Sequence, residues 1–261
     1  MHKFSGIILF LLLSSFYSQA FAQKSYETNL VLDIGLSVSA LALNLWGDYR
    51  VKNPAGSDSI FSKSNLFIWD RPFAGVYNPK YDQVNRAFTL FAPFPLIVGL
   101  GAYMQEDIEK KELWTLFLMY VESIGLQGGV NLMIRSAKIW PRPYVYNAKI
   151  EHHKIPAESY GSFYSGHASA AFSIAILGSS WFQNTYPTSK YTPYFWFGSL
   201  SVASTVSVLR VASGKHYPTD IIVGALMGSL SAYTVLKAHE INSKSFSLNV
   251  FPGYIGFTKI F

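Results

Sequence analysis

The chain has 261 residues, of which half are hydrophobic and 14% charged, with no cysteine and a formal net charge of +6. A charged share that low, against about 25% in soluble domains, points to a lipid environment, and the lack of thiols excludes disulfides and thiolate metal sites. Basic residues are not gathered on one polar element, which argues against a nucleic-acid partner and leaves an anionic substrate or anionic lipid surface to account for the positive balance.

Residues 1–22 read as a signal peptide, with Lys3 in a short positive start, an apolar core over 7–13 and Ala20-Phe21-Ala22 as a small-residue cleavage pattern. Such a leader sends a chain into the export pathway and points to a bacterial envelope. Residues 23–241 form the expected helical domain. Within it, apolar segments at 30–47, 87–105, 113–134, 168–189, 191–209 and 218–236 approach the ~20 residues a spanning helix needs. The expected fold is therefore all-α, a six-helix bundle embedded in the membrane. Glu122 interrupts the third segment and is costly at bilayer depth unless paired or facing a cavity. Residues 48–86 are polar and turn-rich, suited to a substrate rim or a solvated connector. Residues 242–261 alternate around Pro252-Gly253, the pattern of a short C-terminal hairpin. His152 and His153 lack a carboxylate pair beside them, so no metal site and no cofactor is expected.

Three polar clusters lie at the ends of these apolar segments. The first holds Arg135, Lys138 and Arg142-Pro143, the second Ser165-Gly166-His167, and the third Arg210, His216 and Asp220. A phosphomonoester carries about two negative charges near neutral pH, and guanidinium forks together with backbone N–H groups suit its binding. Arg142 and Arg210 fit that clamp. Ser165 and Gly166 precede an apolar run, so their N–H groups would face an anion at the positive end of a helix. His216 and Asp220 are four apart across a Pro218 helix start, which lets both side chains meet on one face. A carboxylate on one imidazole nitrogen fixes the tautomer and frees the other as nucleophile. His216 is thus the candidate nucleophile, Asp220 its orienter and His167 the acid for the leaving oxygen.

This constellation resembles the type 2 phosphatidic acid phosphatase family, whose motifs run Lys-(six)-Arg-Pro, Pro-Ser-Gly-His and Ser-Arg-(five)-His-(three)-Asp. Arg142-Pro143, Ser165-Gly166-His167 and Arg210-(five)-His216-(three)-Asp220 keep those spacings. Arg135 stands where the family has lysine, Tyr164 replaces proline and Leu209 replaces serine; Lys138, about one turn after Arg135, can share the basic role. The resemblance spans residues 112–237. It implies metal-independent hydrolysis of a phosphate ester through a phosphohistidine, with the motifs (135–220) on one side of the bundle.

The substrate class that follows is a lipid phosphate or diphosphate, such as an isoprenoid diphosphate, phosphatidate or phosphatidylglycerophosphate, with the bilayer as partner. A periplasmic nonspecific acid phosphatase is the enzymatic alternative, since soluble relatives share the motifs, and a vanadium-dependent haloperoxidase ranks behind it. A non-catalytic protein that captures phosphate headgroups is the alternative of another class, although binding alone needs only the arginines. The expected location is the inner membrane with the site facing the periplasm. With an exported start, that orientation needs residues 30–47 to lie in the interface without spanning. Oligomeric state is not encoded in any motif.

Overall fold

The computed structural model describes residues 26–53, 62–151, 155–241, 246–251 and 254–259. Residues 1–22, expected to be a signal peptide, and the His152-His153 pair lie outside the described residues. Seven α-helices are present among them: α1 Leu30–Lys52, α2 Pro79–Phe88, α3 Phe94–Met104, α4 Lys110–Arg135, α5 Gly166–Thr185, α6 Thr192–Ala212 and α7 Pro218–His239. A hairpin of β1 Phe246–Phe251 and β2 Tyr254–Lys259 follows, paired antiparallel from Phe246 opposite Lys259 to Phe251 opposite Tyr254.

The helix starts are set by local chemistry. Asn29 Oδ1 accepts from the N–H groups of Val31 and Leu32 and so caps α1. At α4, Glu112 accepts from the Glu109 N–H at 2.8 Å and closes a capping box. Ser165 caps α5 by accepting from Ala168 N–H. Pro193 and Pro218 occupy the first turns of α6 and α7, where no N–H is required.

The expected helix over 87–105 begins only at Phe94, and a separate helix, α2, forms over Pro79–Phe88, mostly within the stretch expected to be turn-rich. An unbroken helix would need N–H donors at Pro93 and Pro95, and each such proline costs about 3 kcal/mol in a helix interior. The chain turns through a 3-10 segment, Thr89–Phe91, and restarts at Phe94. Tyr120 on α4 donates to the Ala92 carbonyl at 2.9 Å and satisfies an oxygen that the break leaves without a helical partner. The eleven residues of α3 rise only about 16 Å, roughly half of a hydrocarbon core. Helix α2, outside all but the first two residues of the expected segment, is why seven helices stand among the described residues where six were expected.

Four helices, α1, α4, α6 and α7, are long and apolar enough to cross a membrane. Their outward faces carry large apolar side chains, among them Leu41, Phe117, Phe197 and Leu226, all exposed. Helix α5 lies at the centre and packs against α3, α4, α6 and α7. Small polar side chains tie the interior: Ser173 of α5 and Ser123 of α4 share a hydrogen bond at 2.7 Å, and Ser231 of α7 donates to the Ser123 carbonyl at 2.9 Å. A Cβ on Gly228 would stand 1.9 Å from the Ser169 carbonyl oxygen, so α7 approaches α5 as only glycine permits. Helix α1 runs parallel to α4, with Ser37, Asn44 and Gly47 against Glu122, Gly125 and Leu132 in turn. The apolar core, built from residues such as Leu116, Met119, Leu177, Trp181, Phe182 and Phe195, fills the half of the bundle away from the polar clusters.

Candidate active site

The three polar clusters come together at one end of the bundle, at the C-termini of α4 and α6 and the N-termini of α5 and α7. Backbone hydrogen bonds join them. Tyr144 N–H donates to the Gly214 carbonyl at 3.1 Å, Ser165 N–H to the Asp220 carbonyl at 3.1 Å, and Arg142 N–H to the Ser159 carbonyl at 2.8 Å. Gly214, between Arg210 and His216, has φ +76, and a Cβ there would meet the Val76 carbonyl oxygen at 1.9 Å. A side chain is excluded at that turn on both grounds.

His216 is 2% exposed at the start of α7. Its Nδ1 lies 3.0 Å from the Ser162 carbonyl oxygen and 3.4 Å from Asp220 Oδ2. Because a carbonyl oxygen only accepts, Nδ1 carries the proton and Nε2 is left with its lone pair. The expected direct bracing by Asp220 is therefore shared: the backbone oxygen is the near acceptor and the carboxylate stands just behind it. Asp220 in turn accepts from Ser162 Oγ at 2.5 Å, Tyr217 N–H at 2.9 Å and Trp140 Nε1 at 3.3 Å. The carboxylate thus holds the loop that holds the imidazole. Burial, and then the positive charges of Arg142, Arg210, Arg135 and His167, push the His216 imidazole well below the ordinary histidine range. It is held neutral, the state that the expected role as nucleophile requires.

The two arginines expected to form the clamp each have a buried donor to spare. The Nε atoms of Arg142 and Arg210 are buried with no hydrogen-bond partner, a condition that a ligand oxygen would relieve. Arg210 gives one terminal nitrogen to Asp82 on α2 at 2.6 Å, and Lys215 Nζ lies 3.9 Å from the same carboxylate. In the first cluster, the Arg135 side chain reaches the Gly161 carbonyl at 3.4 Å and its charge is felt at His216. Lys138 sits over the Tyr160 ring, 6.0 Å from its centroid, and borders a small cavity with Arg135 and Glu158. Ser165 is fully buried, its hydroxyl committed to the α5 cap. At Gly166 a Cβ would press to 2.7 Å on Asn131 Oδ1, and Asn131 donates from Nδ2 to the Tyr164 carbonyl at 2.8 Å.

His167, one residue into α5, is exposed and borders a cavity of about 510 Å³. The cavity runs between α3, α5 and α6 along Pro95, Ala171, Ile174, Phe195, Gly198 and Val206, and its walls are almost wholly apolar.

Residues 116–244 match the family described as the PAP2 superfamily. The chain is also 38% identical over 183 residues to the bacitracin transport permease protein BcrC of Bacillus licheniformis, a match covering 67% of this chain and 80% of that one. The chain belongs to the PAP2 superfamily. Among solved structures, a transmembrane PAP2 type phosphatidylglycerolphosphate phosphatase from Bacillus subtilis is 18% identical, with a TM-score of 0.49 over 76% of this chain and 94% of that one.

Several residues around the PAP2 motifs were not foreseen. Ser162 and Trp140 complete the Asp220 network. Asp82 enters from the first turn of α2, and Asp70, from the stretch before that helix, accepts from both Thr219 N–H and Thr219 Oγ1 at the start of α7. Further contacts, from Gly75 N–H to the Pro143 carbonyl at 2.8 Å and from Asn147 Nδ2 to the Gly75 carbonyl at 2.6 Å, lay this stretch over the site. Of the two expectations for it, a rim fits and a free connector does not. The signal available in the sequence was the run of turn residues with Asp70 and Asp82 among them.

Proposed function

We propose that this PAP2 chain is an integral membrane phosphatase that hydrolyses a lipid phosphate or diphosphate through a phosphohistidine. Isoprenoid diphosphate, phosphatidate and phosphatidylglycerophosphate are the candidate substrates. Arg142 and Arg210, with Arg135 behind them and the α5 N-terminus at Ser165 and Gly166, take the phosphoryl oxygens; Lys138 adds to the positive rim. The lone pair on His216 Nε2 attacks phosphorus, the ester or anhydride P–O bond breaks, and His167 gives its proton to the leaving oxygen. Water then gives a proton back to His167 and attacks phosphorus, and the P–N bond breaks to release phosphate. Asp220 and Ser162 keep the His216 proton on Nδ1 throughout.

The observation that carries this reading is the position of His167, which follows Ser165 and Gly166 at the helix start and has its side chain bordering the apolar cavity. A headgroup in the pocket would therefore leave its hydrocarbon in the cavity, with the scissile oxygen between. A soluble phosphate ester makes no use of about 510 Å³ of apolar space.

The bundle is read as six passes, with α2 and α3 together making the second. Tyr26 pairs with Glu240 and Asn184 donates to Tyr26 Oη at 2.5 Å, so the start of α1 and the end of α7 lie on the face opposite the site. An inner-membrane location with a periplasm-facing site then requires residue 26 to lie on the cytoplasmic side. The packing of α1 along α4 supports reading it as a spanning pass over the interfacial alternative.

The test is phosphate release by wild type, His216→Ala and His167→Ala from lipid and soluble phosphates in EDTA. Wild-type release in the chelator, with a loss of at least about a thousandfold in His216→Ala, is expected. Equal release by wild type and His216→Ala overturns the mechanism. Release of the protein from membranes by aqueous buffer alone favours the acid-phosphatase alternative.

A further inference from the structure

Far from the phosphate pocket, three ionisable side chains meet that the chemistry above does not use: Asp33 of α1, Glu122 of α4 and His239 of α7. Nineteen residues along α7 separate His239 from Asp220, roughly 29 Å of helix rise. Glu122 and His239 are each 1% exposed and Asp33 is 8% exposed. His239 Nε2 lies 3.0 Å from Asp33 Oδ1 and 3.4 Å from Glu122 Oε2, yet none of these three facing atoms has a hydrogen-bond partner.

The tautomer follows from the other ring nitrogen. His239 Nδ1 is 3.0 Å from the Val235 carbonyl oxygen, which can only accept, so Nδ1 carries a proton. In the neutral ring, Nε2 then presents a lone pair to two carboxylate oxygens. Three lone pairs facing one another inside a bundle, with two negative charges behind them, are strongly unfavourable without a cation between. A divalent ion brings the sum of Asp33, Glu122 and neutral His239 to zero.

We propose that Asp33, Glu122 and His239 form a divalent-cation site of the zinc class. Imidazole with two carboxylates is a ligand set that zinc accepts and that magnesium and calcium, which favour all-oxygen shells, do not prefer. Ligand atoms about 2.0–2.1 Å from a tetrahedral zinc lie about 3.3 Å from one another, and the imidazole nitrogen stands 3.0 and 3.4 Å from the two carboxylate oxygens. All three donor atoms lie within 4.8 Å of one another. The outer contacts are those that hold metal ligands in place: the Val235 carbonyl orients the ring, and Ser37 Oγ donates to the second Glu122 oxygen at 3.4 Å. The partial exposure of Asp33, 11% of its side chain, gives an ion its route and leaves the fourth position to water. The ion would tie α1, which lies outside the matched family region, to two helices inside it. It takes no part in phosphoryl transfer, so this inference stands or falls apart from the proposed function.

The test uses the full chain purified in detergent, stripped with chelator and dialysed against zinc chloride or cobalt chloride. Wild type is expected to retain one zinc per chain by elemental analysis, to show the visible d–d absorption of tetrahedral cobalt, and to melt higher with zinc. Asp33→Asn and Glu122→Gln, close in shape to the native residues, are expected to lose the cobalt band and to bind zinc at least about tenfold more weakly. Wild-type protein that takes up neither ion overturns the proposal and makes the cluster a proton-sharing triad. Zinc uptake unchanged in both variants overturns it as well.

Discussion

The Asp82 carboxylate stands 2.6 Å from a terminal nitrogen of Arg210, occupying part of a guanidinium whose Nε is buried without a partner. The contact places an internal anion against one arm of the proposed phosphate clamp, from a helix more than a hundred residues earlier in the chain. Asp82 keeps 25% of its side chain exposed while Arg210 keeps 6%, so the carboxylate is the partner free to move when a phosphate arrives.

Asp82→Asn removes that competing charge. Its KM for substrate is expected to fall about fivefold, the equivalent of about 1 kcal/mol for a partly exposed pair, with kcat nearly unchanged. Steady-state kinetics on a detergent-solubilised lipid phosphate measures both. A rise in KM would instead make Asp82 the residue that aligns Arg210.

Burial and the surrounding guanidinium charges hold His216 below the ordinary histidine range. The proposed nucleophile therefore stays unprotonated through pH ~6.5, the value for a free histidine, and the acid limb of kcat/KM that belongs to His216 is expected below that pH. Stability has the matching sign: the unfolded chain takes up a proton on this ring near pH ~6.5 and the folded chain does not, so this contribution is complete above that pH and is lost as pH falls. Phosphate release measured across pH checks the first point. Substituting Arg142 by Gln removes one of the charges and should move the acid limb upward.

Glycine contacts separate packing from propensity. Gly228→Ala drives a Cβ to 1.9 Å from the Ser169 carbonyl oxygen, and the α5–α7 seam must open, at a cost of about 1–3 kcal/mol or more. Gly35→Ala on α1 meets nothing within 4 Å and should be neutral or stabilising by up to about 1 kcal/mol, the helix preference for alanine over glycine. Thermal unfolding in detergent compares the two.

The apolar cavity gives a substrate-dependent prediction. At Gly198 a Cβ meets nothing within 4 Å, and the residue lines the cavity wall. Gly198→Leu fills that space, so KM for a long-chain lipid phosphate is expected to rise about tenfold, the worth of one to two buried methylenes or more, while KM for a short soluble phosphate ester stays as it was. An equal change for both substrates would place the hydrocarbon elsewhere.

What could be seen in the sequence was whatever repeats along it. Helix α4 and the α5–α7 series follow from apolar length, and the spacing Arg210, His216, Asp220 follows from one helix turn meeting one loop. The split at Pro93 was present in the letters, but an unbroken charge-free run outweighed two prolines until the Tyr120 bond to the Ala92 carbonyl showed how the break is satisfied. Asp82, Asp70 and Ser162 were not legible, because their partners Arg210, Thr219 and Asp220 are brought to them only by tertiary folding. Ser162 is the plainest case: the nearest acceptor for His216 is its backbone oxygen, which no residue type announces. The Glu122 interruption was visible as an anomaly, and its neighbours Asp33 and His239 were not, since each looked like an ordinary residue near a helix end.

The absence of cysteine makes orientation measurable with single introduced thiols. Lys149 is exposed in the loop between the first two PAP2 motifs, and Lys110 is exposed at the opposite end of α4. For a periplasm-facing site, Lys149→Cys in spheroplasts should react with a membrane-impermeant maleimide, and Lys110→Cys should react only after permeabilisation. The reverse pattern puts the site on the cytoplasmic face. It would also agree with export of residues 1–22 as a leader and with the positive-inside rule, since Arg50, Lys52, Lys63, Arg71, Lys80 and Lys215 all lie in or beside loops on the motif side. The two labels thus decide between a headgroup delivered from the outer leaflet and one delivered from the inner leaflet.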